Sequence, residues 1–262
     1  MINEIKQALV AVKKQKPLIL CLVNFVTMEF VANSLLALGS APIMSVCEDE
    51  IEELIKMASA LYINIGTLDH NFIGLAKKSL DIAQEHNKSI IFDPVGSGAT
   101  NIRTEISKSI VPFVNCIRGN SSEIISLSDN QHTTYGVESN NTTDEAAAIA
   151  KSLSLDNDLI VIVSGPVDFI TNGDASISVP FGSPLMQIVT GMGCSLTAVI
   201  AAFQSVLEDP FESAVIATHY FALCGELASR NQQSSGAFRV AFLDQLHNPD
   251  FALMRDLYDR RR

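Results

Sequence analysis

Along the chain, short apolar runs alternate with longer stretches whose apolar positions recur every three to four residues, the two periodicities of strands and amphipathic helices. The short runs at 18–24, 41–45, 60–65, 89–93, 115–117 and 159–164 predict strands. The longer patterns at 27–38, 48–59, 69–85, 101–112 and 143–152 predict helices between them, and a short helix precedes residue 18. Alternation of this kind predicts an α/β fold around a central, mostly parallel sheet. Gly39 stands where a helix C′ glycine belongs, and Glu48, Asp49 and Glu50 put negative charge at a helix start, where the dipole favours it. Past Ser164 the pattern changes. Residues 169–171 and 175–179 flank Asn172-Gly173-Asp174 and predict a hairpin, after which three helices close the chain. With no internal repeat or linker, residues 1–262 are expected to form one domain, with a polar loop at 128–141.

Composition narrows the partners. With 18 Lys+Arg against 29 Asp+Glu, the net charge is −11, and no basic cluster relieves it. The chain therefore lacks the electrostatic footprint through which proteins hold nucleic acid or anionic membrane, and neither is an expected partner. Five cysteines, Cys21, Cys47, Cys116, Cys194 and Cys224, are odd in number and form no C-x-x-C pair, which suits reduced thiols in a cytoplasmic protein. Lys13, Lys14 and Lys16 precede the apolar run at 18–23, but Glu4 lies before them and no small-residue cleavage site follows, so a secretory leader is not expected. No charged residue occurs from 175 to 207, yet Pro180, Gly182, Pro184, Gly191 and Gly193 interrupt that stretch. The remaining helix, from about 194 to 207, is shorter than the ~20 residues a bilayer requires and is expected to be buried.

Ligands of open α/β sheets bind beyond the carboxyl ends of the strands, which directs attention to Asp93-Pro94-Val95-Gly96-Ser97-Gly98 and Ser164-Gly165-Pro166. The stretch Val189-Thr190-Gly191-Met192-Gly193-Cys194-Ser195-Leu196-Thr197 reads as a strand end turning through two glycines into an uncharged helix. Backbone N–H groups at such a turn can hold a phosphate, or the turn can simply pack a core helix; the spacing matches neither Walker A nor a dinucleotide fingerprint. Cys194 lies at the helix N-terminus, a position that lowers a thiol pKa and suits a base or nucleophile, although an inert buried cysteine fits the same pattern. Asp93 and Glu123 follow strand ends, where two carboxylates can hold Mg2+ or merely cap and solvate. Arg118, one residue past the strand at 115–117, offers a planar fork for phosphate oxygens or a surface ion pair. The five histidines show no zinc spacing, and no G-x-S-x-G elbow presents a serine nucleophile.

Read together and in order, these residues resemble those of the hydroxyethylthiazole kinases, within the ribokinase-like family. The resemblance runs from Val23-Asn24-Phe25-Val26 and 32–44 through Asn64-Ile65-Gly66-Thr67-Leu68, Asp93-Pro94-Val95-Gly96 and Ile117-Arg118-Gly119-Asn120 with Glu123. It closes with 189–194 and Gly236-Ala237-Phe238. It implies a layered ribokinase-like fold and phosphorylation of the alcohol of 4-methyl-5-(2-hydroxyethyl)thiazole by Mg-ATP, a step of thiamine salvage. It also implies that Met44 contacts the thiazole with Asn24, Gly66 and Thr67 nearby and Gly191 at the hydroxyethyl end. Arg118, Ser164 and Gly193 would bind ATP, Asp93 and Glu123 would serve Mg2+, and Cys194 would take the place of the aspartate base common in the wider group. A thiol in that place implies a slow enzyme that relies on positioning, and the family's assembly implies a homotrimer with active sites where subunits meet. The chain departs from the family at Val23 for threonine, Glu29 for asparagine and Ser40-Ala41 for the reverse order. Other expectations are a kinase for a related small alcohol, such as hydroxymethylpyrimidine, and a non-catalytic nucleotide- or thiazole-binding protein.

Overall fold

A computed structural model describes residues 1–128 and 142–261; all but the first residue of the polar loop expected at 128–141 lies outside the described residues. The elements run α1 (Ile2–Gln15), β1 (Leu18–Leu22), α2 (Met28–Leu38), β2 (Ala41–Ile43), α3 (Ile51–Met57), β3 (Ala60–Asn64), α4 (His70–Glu85), β4 (Ser89–Asp93) and α5 (Asn101–Ile110). They continue with β5 (Cys116–Asn120), α6 (Ser121–Ser126), α7 (Thr142–Asn157), β6 (Ile160–Ser164), β7 (Asp168–Thr171), β8 (Ser176–Val179), α8 (Met192–Gln204), α9 (Pro210–Ser229), α10 (Ser235–His247) and α11 (Phe251–Arg260). One sheet holds the strands in the order β2-β1-β3-β4-β5-β6-β7-β8. The pairings from β2 to β6 are parallel, and those of β6 with β7 and β7 with β8 are antiparallel.

The strand side chains divide by the period of two. Ile19, Cys21, Tyr62, Ile91 and Cys116 point into one apolar layer with α1, α2, α8 and α9, while Leu20, Leu22, Leu61, Ile63, Ile90, Phe92 and Ile117 point into the other. Each face is thus sealed by helices, which is why these strands carry almost no polar residue except at their carboxyl ends. Helix α8 is buried from Cys194 to Phe203, so its lack of charge reflects a central position against β1, β3 and β4.

Boundaries differ from expectation in instructive ways. β5 runs on to Asn120, so Arg118 is a strand residue rather than one beyond the strand. Val189 ends no strand: it follows a 3-10 turn at Pro184–Ile188, and α8 begins at Met192 with Gly191 as its N-cap at φ 92°. The expected helix at 48–59 shrinks to Ile51–Met57, and that at 101–112 gives way to a 3-10 turn where Pro112 enters. Four α-helices rather than three follow the hairpin. Gly39 does take the left-handed C-cap conformation, at φ 98°. No helix among the described residues is long and apolar enough to cross a membrane, and all five cysteines are free, with only Cys47 exposed.

Candidate active site

The carboxyl ends of β3, β4, β5 and β6 meet the N-terminus of α8. Parallel register sets Asn64 directly beside Asp93 and Asn120 beside Ser164, so the polar residues that end each strand converge in space. Asp93 is fully buried. Its Oδ2 lies 3.0 Å from Asn64 Nδ2, 3.2 Å from the Tyr62 and Thr197 hydroxyls and 3.9 Å from Arg118 Nη1. Burial pushes the Asp93 carboxyl up to about 6; the Arg118 charge opposes that rise and Glu123 adds to it.

Asn64, also fully buried, is the hub. Its Oδ1 accepts from Asn24 Nδ2 and from the Gly66 amide, both at 2.9 Å, and its Nδ2 lies 3.2 Å from Cys194 Sγ. Asn24 in turn fixes the loop beyond β1 by accepting from the Thr27 amide at 3.0 Å, and the Phe25 amide donates to Thr67 Oγ1 at 3.2 Å. Gly66 must lack a side chain, because a Cβ there would sit 2.8 Å from that of Asn24. Asn24, Gly66, Thr67 and Cys194 are thus brought together in space by one set of hydrogen bonds.

The thiol state differs from the expectation. Cys194 occupies the third helical position of α8, yet burial and then the charge of Asp93 hold its thiol above the ordinary value. Its Sγ accepts from the side-chain amides of Asn64 and Asn24.

Beside this group lies a cavity of about 640 Å3, lined by Arg118, Ser164, Gly191 and Gly193 at one end and by Phe181 and Met186 among the apolar residues. Arg118 is largely buried, with its side chain 13 % exposed, and its Nε donates to Ser164 Oγ at 2.8 Å. It is no surface ion-pair partner. Gly193 has no room for a side chain: its Cβ would fall 2.2 Å from Arg118 Nη1. Asp168, whose carboxyl burial raises to about 6, lines the same cavity and accepts from the Gly165 amide at 3.0 Å.

Glu123 is spent in part on structure. It completes a capping box on α6, accepting from the Asn120 amide at 2.8 Å, and its other oxygen accepts from the Gly96 amide at 2.9 Å. Met44 follows β2, half-buried against the layer that contains α8, and does not line the cavity.

Residues that the sequence reading passed over include Tyr62, Thr197, Asp168 and Arg103. Arg103 donates to the Ile65 and Val95 carbonyls at 2.7 Å and to the Gly66 carbonyl at 3.0 Å, clamping the loops after β3 and β4 together. Its signal was available: a cation in the first turn of a helix opposes the dipole and implies a use elsewhere. Thr197 lay one turn beyond Gly193 in the motif already quoted, on the same helix face.

Comparison with known proteins bears on the family and the fold. The profile of the Hydroxyethylthiazole kinase family matches residues 9–250. A hydroxyethylthiazole kinase of Chlamydia caviae is 48% identical over 264 residues, covering 99% of this chain and 100% of that one. One from Desulfotalea psychrophila is 41% identical, covering 90% of this chain and 88% of that one. The structure of the hydroxyethylthiazole kinase protein of Pyrococcus horikoshii OT3 superposes with a TM-score of 0.88 at 35% identity, covering 97% of this chain and 96% of that one. A pyridoxal kinase of Staphylococcus aureus shares the fold at a TM-score of 0.62 and 15% identity, covering 80% of this chain and 88% of that one. Eight strands in a mostly parallel sheet, a glycine-bounded α8 and relatives matched end to end lead to one assignment: the chain belongs to the hydroxyethylthiazole kinase family.

Proposed function

We propose that this chain phosphorylates the hydroxyl of 4-methyl-5-(2-hydroxyethyl)thiazole at the expense of ATP, a step of thiamine salvage. The observation that carries the reading is the meeting of two half-sites at the first turn of α8: the Asn24–Asn64–Cys194 group on one side and the Arg118–Ser164 cavity on the other. An acceptor alcohol and a polyphosphate brought to those two sides face each other across Gly191–Cys194.

On this reading the triphosphate lies against Arg118 and Ser164, where a guanidinium and a hydroxyl suit phosphate oxygens, and the amides at the start of α8 receive the transferred phosphoryl. The thiazole sits by Met44, Asn24, Gly66 and Thr67, its hydroxyethyl arm directed to Gly191 and Cys194. Phosphoryl transfer passes through a loose transition state, so positioning and charge neutralisation do most of the work and the alcohol need not be ionised first. A Cys194 thiol held above its ordinary pKa fits such a role: it orients the alcohol oxygen, whose proton passes to a phosphoryl oxygen as the new O–P bond forms and the bond from the γ-phosphorus to ADP breaks, which accords with a slow enzyme.

Asp93 fits a divalent cation, and Mg2+ is the ion we assign. Its Oδ1 is buried with no hydrogen-bond partner among the described residues, an oxygen left over once Oδ2 has been satisfied. Mg2+ ordinarily takes one or two carboxylates, with phosphates and water completing its shell, so the absence of any cluster of three His, Cys, Asp or Glu among the described residues is compatible with it. An ion held there would supply positive charge to offset that of the phosphates. Asp93 would hold it, and Glu123, whose two oxygens already accept amide protons, would act through its charge or through water.

Residues 1–262 act as one catalytic domain in this proposal, and the chain works as a homotrimer in the cytoplasm. Phe25, Val26, Val46 and Ile188 support the assembly: they stand 64%, 70%, 69% and 64% exposed on the loops that carry Asn24, Met44 and Gly191, where a neighbouring subunit would cover them. Incubation with Mg-ATP and the thiazole alcohol, followed by mass spectrometry, tests the reaction: a thiazole monophosphate is the expected product, and unmodified alcohol with ATP intact would contradict the proposal.

A further inference from the structure

The cavity that receives the nucleotide has a second arginine on its wall. Arg261, which follows α11 as its C-cap, lies against the segment formed by Pro180, Phe181 and Gly182, with its side chain 45% exposed. Its Nη1 donates to the Pro180 carbonyl, and its Nη2 lies 2.9 Å from Glu226 Oε1. Glu226 accepts from the Gly182 amide with its other oxygen, at 3.4 Å. The guanidinium carbon stands 5.5 Å from the Phe181 ring centroid, and that ring stacks on Tyr258 of α11 at 5.8 Å. The side chain is therefore pinned in place rather than trailing from the chain end.

Two features separate Arg261 from Arg118. Arg118 reaches its nearest carboxylate only at 3.9 Å and shares its end of the cavity with Ser164 and the start of α8. Arg261 is charge-compensated by Glu226 in direct contact, and its guanidinium lies beside the Phe181 ring in a cavity that Met186 also lines. A guanidinium already paired with a carboxylate attracts phosphate less than an unpaired one, while its flat, weakly hydrated face remains, and such faces stack on π systems. The cavity thus has a polar, cationic end and an end walled by aromatic, thioether and compensated guanidinium groups, which matches the two ends of a nucleoside triphosphate.

We infer that Arg261 is a nucleotide-binding residue whose guanidinium plane packs against the purine of ATP, so that the end of α11 forms a wall of the base subsite. The inference rests on the reading that this cavity takes ATP. Calorimetry with ADP and with ATP, and displacement of ADP by inorganic tripolyphosphate as a probe without a base, tests it. Arg261→Ala is expected to weaken ADP and ATP by the same factor, about fivefold for a stacking contact near the surface, and to leave tripolyphosphate unchanged. Arg261→Lys should not rescue, because an ammonium lacks the plane. Arg260→Ala, which alters only an exposed pair with Asp256, should bind as the parent does. Unchanged ADP and ATP affinities in Arg261→Ala would overturn the inference, as would a loss shared by tripolyphosphate and restored by lysine, which marks a phosphate contact. A parent chain that binds neither nucleotide would strike the assignment of the cavity itself, and the inference would fall with it, whereas normal nucleotide binding without thiazole phosphorylation would contradict only the proposed reaction.

Discussion

Gly193→Ala places a methyl group where the Arg118 guanidinium now lies. The added carbon would sit 2.2 Å from Nη1 and 2.7 Å from the central guanidinium carbon, against an ordinary contact of at least 3.4 Å, so the side chain must withdraw by 3.4 − 2.2 = 1.2 Å or more. A comparable displacement at Nε would stretch its 2.8 Å bond to Ser164 Oγ beyond hydrogen-bonding range. Losing that internal bond to a charged group costs roughly 1.5–3 kcal/mol of folding stability, and with Arg118 displaced from where phosphate oxygens would meet it, ATP affinity should fall by about 10- to 100-fold, the loss of one charge-assisted contact to the ligand. The chain should still fold, with a lowered melting temperature, since alanine is the better helix former and Arg118 is a side-chain end that can swing aside. The assay is ATP calorimetry on Gly193→Ala, Arg118→Ala and the double variant, with melting temperatures alongside. The clash requires that Gly193→Ala cost little once Arg118 is gone. An equal loss in both backgrounds would refute the reasoning, because the methyl group would then be obstructing the phosphate itself.

Other expectations follow from the same contacts. Arg118→Ala should weaken ATP binding through the lost fork to phosphate, and an unaltered dissociation constant would contradict that role. Cys194→Ala should lower kcat more than it raises KM for ATP; unchanged turnover would remove the thiol from the reaction. The Asp93 carboxyl titrates near 6, so kcat/KM should decline as pH falls through that value, and a profile flat down to pH 5 would contradict a requirement for the Asp93 anion. The same shift has a stability consequence: the folded chain carries the anion at a cost above pH 6 and escapes it below the unfolded value of 3.8. Asp93→Asn should therefore stabilise the fold by as much as roughly 3 kcal/mol above pH 6, with the gain fading towards pH 4, as denaturant melts at the two pH values would register. Gly66→Ala forces a carbon to 2.8 Å from Asn24 Cβ, too near the backbone to swing away, and should cost about 1–3 kcal/mol in the denaturant midpoint.

Much of this architecture was legible along the chain because the sheet is covered on both faces. Burial on two sides leaves runs such as Leu18–Leu22 and Ala60–Asn64 with little polarity, and amphipathic helices between them fix a parallel arrangement. What escaped was context. Cys116–Asn120 contains Arg118, Gly119 and Asn120, which read as a loop, but pairing with Ile160–Ser164 holds them in the sheet. Val189 has the β-branched character of a strand end, yet the prolines and glycines around it leave only a 3-10 turn. The site's glycines and polar strand ends were visible as motifs, whereas the role of Asn64 as hub depends on the register that sets it beside Asp93. The raised thiol of Cys194 follows from burial and the neighbouring Asp93 charge, neither of which is visible along the chain.

The account stands most directly on acceptor selectivity. ADP release from Mg-ATP, measured side by side with hydroxyethylthiazole, with hydroxymethylpyrimidine and with no acceptor, should rise above background with the thiazole alone. Release favouring the pyrimidine, or equal release in all three reactions by protein that binds ATP, would contradict the claim that the group around Asn24, Asn64 and Cys194 is built to receive the thiazole alcohol.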